Sequence, residues 1–457
     1  MERHVSSPRS DWEERVRAQG LVFPTTRRPD GSEIPYWDES ALYVLTSDEV
    51  DVLEAATERL HGMCVEAARF LATGAMGNLG LPPGSLRKAG ESLASSPPSL
   101  IGRFDVRWDG QGPPKLLEYN ADTPTGLVES AVAQWYWLED LHPEQDQWNS
   151  LHERLLLGWQ KLATRFAPGA VYFAHHEDEP TGEELMTVTY LRDTADQAGL
   201  DTASITVGQI GWDRELLAFV DEEFVPIRTC FKLYPWEQML AEEFGRFVEA
   251  VPLSELATTW LEPLWKVLPS NKALLAALWH LYPDDELLLP AYLDSPGPLT
   301  QWVAKPLHGR EGDNIRIHAA GVVEERGGPY GSEGWCYQQW APLPDFDGNK
   351  AVVGTWVVDG LAAGAGIRES DGWVTDYHAR FVPHVLDAGR PSETVQQAWL
   401  ADAGAVVQDT VPSDDAGDVQ DSLAREGPRP MLTLGGRDSP VQDAPAEGRP
   451  RGEGRQR

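Results

Sequence analysis

Basic residues are scarce in this chain: 38 Lys and Arg stand against 72 Asp and Glu, a formal net charge of −34. A field of that sign opposes nucleic acid and anionic membrane and attracts cationic partners such as polyamines, while part of the excess serves solubility. Cysteine is rarer still. Cys64, Cys230 and Cys336 lie far apart and form no CxxC pair, which argues against a disulfide framework or a zinc knuckle and fits a reducing cytosol. Long apolar runs are missing too, since no window approaches the roughly 18 residues of a membrane span. The amino-terminal MERHVSSPRSDWEERV is charged and lacks an apolar signal core. The expectation is a cytoplasmic protein that binds neither nucleic acid nor membrane. No internal repeat is evident.

What is present is a folded composition: 41% hydrophobic residues and 18 tryptophans in 457 residues, enough for a large core in two or three subdomains. A short helix is expected at 11–19, and Ser47 reads as the N-cap of a long amphipathic helix to about residue 74, with Val52, Leu53, Ala56 and Leu60 at helical spacing. Further helices are expected over GLVESAVAQWYWLEDL and HPEQDQWNSLHERLLLGWQKLA. AVYFAHH, GEELMTVTYLRDTADQAG and TASITVGQIGWD read as strand, helix and strand, a small parallel α/β unit with a glycine stop after its helix. DEEFVPIRTCFKLYPWEQML runs from strand into helix, and Ser270 or Asn271 is placed to cap a helix starting at Lys272. Residues 301–384 read as short strands broken by glycine turns. From about residue 400 the chain is rich in Asp, Gly, Pro and Arg, with no aromatic residue after Trp399, and reads as disordered.

The stretch richest in chemistry is RFDVRWDGQGPPKLLEYNADTPT, residues 103–125. It reads as a β-hairpin whose alternation puts Arg103, Asp105 and Arg107 on one face and Phe104, Val106 and Trp108 on the other. On the return strand Glu118 and Asn120 share a face opposite Leu117 and Tyr119. If the polar faces coincide, two carboxylates, an amide oxygen and a guanidinium come together: hard oxygen ligands for Mg²⁺, with an arginine to meet a phosphate. From spacing alone, a solvated face laced with cross-strand ion pairs is an equal reading.

A second signal is QWVAKPLHGREGDNIRIH, a strand ending in Lys305, a loop with Gly309 and Gly312, and a returning strand. Such a loop can lie over a triphosphate and offer backbone N–H groups, with lysine as a point charge, although it matches neither GxxxxGK[ST] nor GxGxxG. By itself it is more often a plain hairpin. Lys272 sits at a helix start, where a cation is electrostatically disfavoured, which favours a functional role. Cys336 reads as core. His175 and His176 are adjacent strand residues facing opposite ways and are discounted as a metal pair.

RFDVRWDG followed by KLLEYNADTPTGLVE resembles the synthetase domain of the glutathionylspermidine synthase family, and the motifs at 270–272, 305–312, 335–342 and 364–370 extend the resemblance over about residues 12–386. The resemblance implies an α/β (α+β) fold: a permuted ATP-grasp fold with a small preATP-grasp-like α/β subdomain and a disordered C-terminal tail. The implied division is an N-terminal helical and irregular part at 1–100, the Mg-binding hairpin and α/β subdomain at 101–260, the nucleotide-binding part at 261–398 and the acidic tail at 399–457. With only about 100 residues before Arg103, the chain looks like a stand-alone synthetase without the amidase domain of bifunctional relatives. The implied reaction is ADP-forming joining of a peptide acid to an amine, with ATP and Mg²⁺ as cofactors.

By the same resemblance, Asp105, Glu118 and Asn120 would hold Mg²⁺. Lys272, Lys305, Gly309 and Gly312 would fix the triphosphate, and backbone groups near Gln338, Gln339 and Trp340 would take the adenine. Arg103 and Arg368 would stabilise charge at the transferring phosphoryl group. Thr123, Glu183 and Glu184 would meet substrate, Thr125 is placed near them only by proximity, and Glu237 lines the cleft. Two other readings stand beside this one: a nucleotide-binding regulatory protein of the same fold without turnover, and a carboxylate-pair hydrolase, which would have no use for the glycine loop.

Overall fold

The computed structural model describes residues 1–387 apart from Pro29, Asp178 and residues 250–253. The tail at 399–457, expected to be disordered, lies outside the described residues.

Alternation along the hairpin builds the centre of the molecule. Ile101–Arg107 pairs antiparallel with Lys115–Asn120 on one side and with Asn349–Val358 on the other; Leu361–Ser370 and Arg380–Val382 complete the row, and Asp345–Phe346 adds an edge piece to make six strands. The inward face carries Phe104, Val106, Tyr119, Val353 and Ile367, which join Leu53, Leu60, Cys64 and Ala67 of the helix Ser47–Ala72 in one apolar cluster. Thr57 and Thr355 hydroxyls meet at 2.9 Å across that interface. The opposite face is divided. At one end Ile101, Trp356 and Val358 are sealed with residues of the helices Gln134–Leu141 and Leu151–Ala163, and at the other Arg103, Asp105, Glu118, Asn120 and Arg368 open into a cleft.

Two further sheets wall that cleft. A four-stranded parallel sheet, ordered Thr259–Leu261, Thr229–Lys232, Val171–His175 and Thr202–Thr206, forms the expected α/β unit. Its helix Glu183–Gln197 stops as the sequence suggests: Gly199 takes φ 89°, its N–H bonds Asp196 O, and Leu200 N–H bonds Ala195 O, each at 3.0 Å. A five-stranded antiparallel sheet carries Trp302–Pro306 between Trp335–Gln339 and Arg316–Ala319. No helix among the described residues is long and apolar enough to cross a membrane.

Several local expectations are corrected. The cap of the long helix is Thr46, not Ser47, because Glu49 reaches back to the Thr46 N–H at 2.9 Å while the Thr46 hydroxyl accepts from Glu49 N–H at 3.2 Å, a reciprocal capping box. The helix expected from His142 begins only at Leu151, since 142–150 is used to bury Trp148 and to bind Gln147 to the backbone of Gln134 and His384. TASITVGQIGWD is not one strand: a 3₁₀ turn at Val207–Gln209 splits it, and Gly211–Asp213 pairs with Ala218–Val220 instead. Between 349 and 370 the strands are ten residues each rather than short.

Candidate active site

The register of the hairpin decides which polar groups meet. Arg103 lies opposite Asn120 and Asp105 opposite Glu118, so the two polar faces coincide. A bulge then intervenes, with Val106 opposite Leu116, and the extra residue, Leu117, turns to the cleft rather than joining Tyr119 on the apolar side. Its carbonyl becomes an acceptor for Lys305 Nζ at 2.7 Å. Arg107, past the bulge, leaves the group; its guanidinium bonds Pro342 O and Asp109.

Five cations converge here, and each has a partner. Arg103 Nε donates to Asp105 Oδ1 at 2.9 Å, and another of its N–H groups donates to Thr125 O. Arg368 donates to Asp105 Oδ2 at 2.5 Å, and Lys272 Nζ lies 3.1 Å from Glu118 Oε2. Lys305 also donates to Gln338 Oε1 at 2.9 Å, and Gln338 is held in turn by donating to Leu116 O at 2.9 Å. Arg310, inside the glycine loop, reaches Thr123 Oγ1 and Glu237 Oε1 at 2.9 Å each. Burial alone would raise the Glu118 carboxyl, but Lys272 and Lys305 hold it below the usual carboxylate range. Burial pushes Lys305 down to about 8; Glu118 opposes that fall and Lys272 adds to it.

The loop between Lys305 and Arg316 needs its glycine at 312: φ is +76°, and a Cβ there would sit 2.6 Å from Val374 Cγ1. Gly309 instead folds against Pro306. Lys272 precedes the helix Ala273–Leu281, whose first N–H is taken by Asn271 Oδ1 at 2.9 Å; Ser270 instead receives the Ala121 and Asp122 N–H groups, tying this turn to the hairpin. Gln339 and Trp340 line the cleft, with their N–H groups bound to Pro290 O and Gln301 O. Beside them Val303, Ile317, Leu343 and Val352 make an apolar slot. Cys336 is sealed in the core, its thiol pushed up to about 12 by burial.

At the other end of the cleft, which measures about 1010 Å³, the walls are acidic. Glu183 is raised to about 8, first by burial and then by the charge of Glu129, while a hydrogen bond from the Thr125 side chain opposes the rise. Glu184 accepts the His176 N–H at 2.9 Å, and His176 stacks on Tyr234 with ring centres 5.9 Å apart. Glu129 is fully buried and accepts the Tyr36 hydroxyl at 2.7 Å.

Of the residues singled out from the sequence as site residues, all but Glu237 therefore line one cleft, and Glu237 reaches it only through its ion pair with Arg310. Sequence reasoning missed Arg310, Tyr36 and Glu129. For Arg310 a signal existed, since it sits inside the glycine loop; for Tyr36 and Glu129, 93 positions apart, none did. Among the described residues no group of three or more His, Cys, Asp or Glu could hold a metal by itself. The hairpin offers two carboxylates and an amide oxygen, a set suited to a hard cation that draws further oxygens from phosphates.

A "Putative acid--amine ligase" of Haemophilus influenzae is 37% identical over 389 residues, covering 82% of this chain and 97% of that protein. Trypanothione synthetase of Crithidia fasciculata is 29% identical over 62% of this chain, and the bifunctional glutathionylspermidine synthetase/amidase of Escherichia coli K12 is 27% identical over 63%. The matches span 46% and 49% of those two proteins, about half their length. The model of the family described as "Glutathionylspermidine synthase preATP-grasp" matches residues 3–387, and the chain belongs to that family.

Proposed function

We propose that the chain is an ATP-dependent carboxylate–amine ligase. ATP phosphorylates an acid, the resulting acyl phosphate is attacked by an amine, and an amide, ADP and phosphate leave with one proton released. The observation that carries the reading is the convergence in one cleft of Asp105, Glu118 and Asn120 with Arg103, Arg368, Lys272 and Lys305. Phosphoryl transfer asks a protein mainly for positioning and charge, and this constellation offers both.

Asp105, Glu118 and Asn120 would hold Mg²⁺, which when bound neutralises phosphate charge and lowers repulsion between the γ-phosphate and the attacking carboxylate. Lys272 and Lys305 grip the phosphates, exchanging Glu118 and Leu117 O for phosphate oxygens. Gln338 keeps the Lys305 ammonium aimed, and the apolar slot beside Gln339 and Trp340 takes the base. Arg103 and Arg368 face the developing charge on the transferring group and on the tetrahedral adduct. Glu183 and Glu184 receive the amine, and Thr123 meets the acid.

The test is ADP release with Mg²⁺–ATP and pools of peptide acids and amines, beside Lys305→Ala. Release that requires both an acid and an amine, and disappears in the variant, is the expected result. Nucleotide binding without release from any pool would favour a regulatory role for the fold.

A further inference from the structure

We propose that Arg326 and Asp376 are positioning residues for the transfer step: their ion pair seats the glycine loop over the cleft and fixes it relative to Arg368. The inference rests on the ligase reading, in which that loop grips the triphosphate. The shape of the loop has to be enforced from outside. Glu311, Gly312 and Asn314 take φ of 51°, 76° and 55°, so two residues that carry side chains occupy the left-handed region beside the glycine. Such a conformation is disfavoured and persists where surrounding contacts hold it. The start of the loop is anchored in the body of the molecule: Leu307 O accepts the Lys272 N–H at 2.9 Å, and the His308 ring meets Leu79 O at 2.9 Å. Arg310 then pins one side to Thr123 and Glu237. The returning side depends on Arg326.

The backbone of Arg326 is tied to that returning side: its N–H bonds Ile315 O at 3.0 Å, while Asn314 N–H bonds Gly327 O at 3.2 Å. Its guanidinium reaches the other way. Nε donates to Glu324 Oε1 at 2.8 Å, and another of its N–H groups donates to Asp376 Oδ2. The two side chains are 28% and 16% exposed, so the pair is screened less than one on open surface. Asp376 belongs to the segment 371–379, which directly follows the strand Leu361–Ser370 that carries Arg368. That segment is itself held. Arg380 and Arg28 bond Asp371 at 2.8 and 2.6 Å, the Trp373 ring meets Trp340 edge-on at 5.6 Å, and the Asp376 carboxylate accepts the His378 N–H at 2.9 Å. Val374 of the same segment lies against Gly312, leaving no room for a side chain there. One ion pair therefore joins the loop that grips phosphate to the segment that continues from Arg368, and phosphoryl transfer depends on keeping those two in register.

The test measures affinity for ATP and for AMP, each with Mg²⁺, in wild type, Arg326→Ala, Asp376→Ala, the double variant and Arg326→Lys, beside ADP release with pools of acids and amines. A loop seated about a tenth of the time lowers apparent affinity about tenfold for a ligand that needs it. Each alanine variant is expected to weaken ATP by about that factor and to leave AMP, which has no β- or γ-phosphate for the loop to cover, within about twofold. The double variant is expected to lose no more than either single one, because the pair acts as a unit, and Arg326→Lys to recover part of the loss. KM for ATP in ADP release follows the same order. ATP affinity unchanged in the single variants, equal losses for ATP and AMP, or single losses that multiply in the double variant would each overturn the inference and leave the ligase reading intact. A wild type that binds ATP but releases no ADP with any acid and amine overturns the ligase reading alone, since the affinities still decide whether the pair seats the loop.

Discussion

Buried charge in this molecule comes in two kinds, and the hairpin at 101–120 has both. At its ends the charges are sealed. Glu262 accepts the N–H groups of Leu100 and Ile101 and the Ser99 hydroxyl, and it pairs with Lys266 at 3.2 Å, which itself donates to Ile101 O. Just past Asn120, Asp122 pairs with Lys232 at 2.8 Å and accepts the Trp236 N–H, with both side chains at most 2% exposed. In the middle of the hairpin the charges face the cleft: Glu118 is 28% exposed and Arg368 18%. The sealed carboxylates have their hydrogen-bonding capacity filled by the protein, so they fix where the strands begin and end. The cleft pairs hold each other through contacts that phosphate oxygens and a cation can replace. One set positions the hairpin, and the other is positioned by it.

Breaking the sealed set should show as lost stability. Glu262→Ala leaves Lys266 buried without its carboxylate and orphans two backbone N–H groups, an expected loss of about 3–5 kcal/mol read as a lower urea midpoint. A midpoint unchanged from wild type would erase the distinction between the two sets. Breaking the cleft set should show as lost rate. Arg103→Ala is expected to lower turnover about 10²–10³-fold, equivalent to about 2.7–4 kcal/mol in the barrier, while its urea midpoint falls less than that of Glu262→Ala. Near-normal turnover in that folded variant would remove Arg103 from the mechanism.

The cleft set was largely legible in the sequence, and the sealed set was not. Asp105, Glu118 and Asn120 lie within one hairpin, where a period of two assigns faces without knowledge of the rest of the fold. The loop after Lys305 announces itself by its glycines. Asp122 and Lys232 are 110 positions apart, and Glu262 reaches a strand more than 160 positions earlier, so no local pattern connects them. The bulge that turns Leu117 into the cleft was illegible for a different reason: period-two reading assumes an unbroken ladder, and a one-residue insertion in the pairing leaves no signature in KLLEYN. Likewise the cap moved from Ser47 to Thr46 because both are good caps and only the Glu49 contact chooses between them.

The smallest expected effect sharpens the comparison through pH, because Glu183 and Lys305 in the cleft have ionisations displaced in opposite directions by burial. Glu183, raised to about 8 from its ordinary 4.5, keeps a proton in the folded state that the unfolded chain has released, so its contribution to stability is lost as pH rises from 4.5 to 8. Lys305, lowered to about 8 from 10.5, works in the opposite sense: between 8 and 10.5 the unfolded chain holds the extra proton, and its contribution to stability grows as pH rises. Together the two predict a stability minimum near pH 8, measured as urea midpoints at pH 5, 8 and 10. In difference profiles against wild type, Glu183→Gln should remove the falling limb and Lys305→Met the rising one. Saturating Mg²⁺–ATP should also flatten the rising limb, since phosphate beside Lys305 restores the proton that burial discourages. If Glu183→Gln follows the wild-type profile throughout, Glu183 does not titrate in this window, and the acidic end of the cleft meets its amine with a carboxylate already charged.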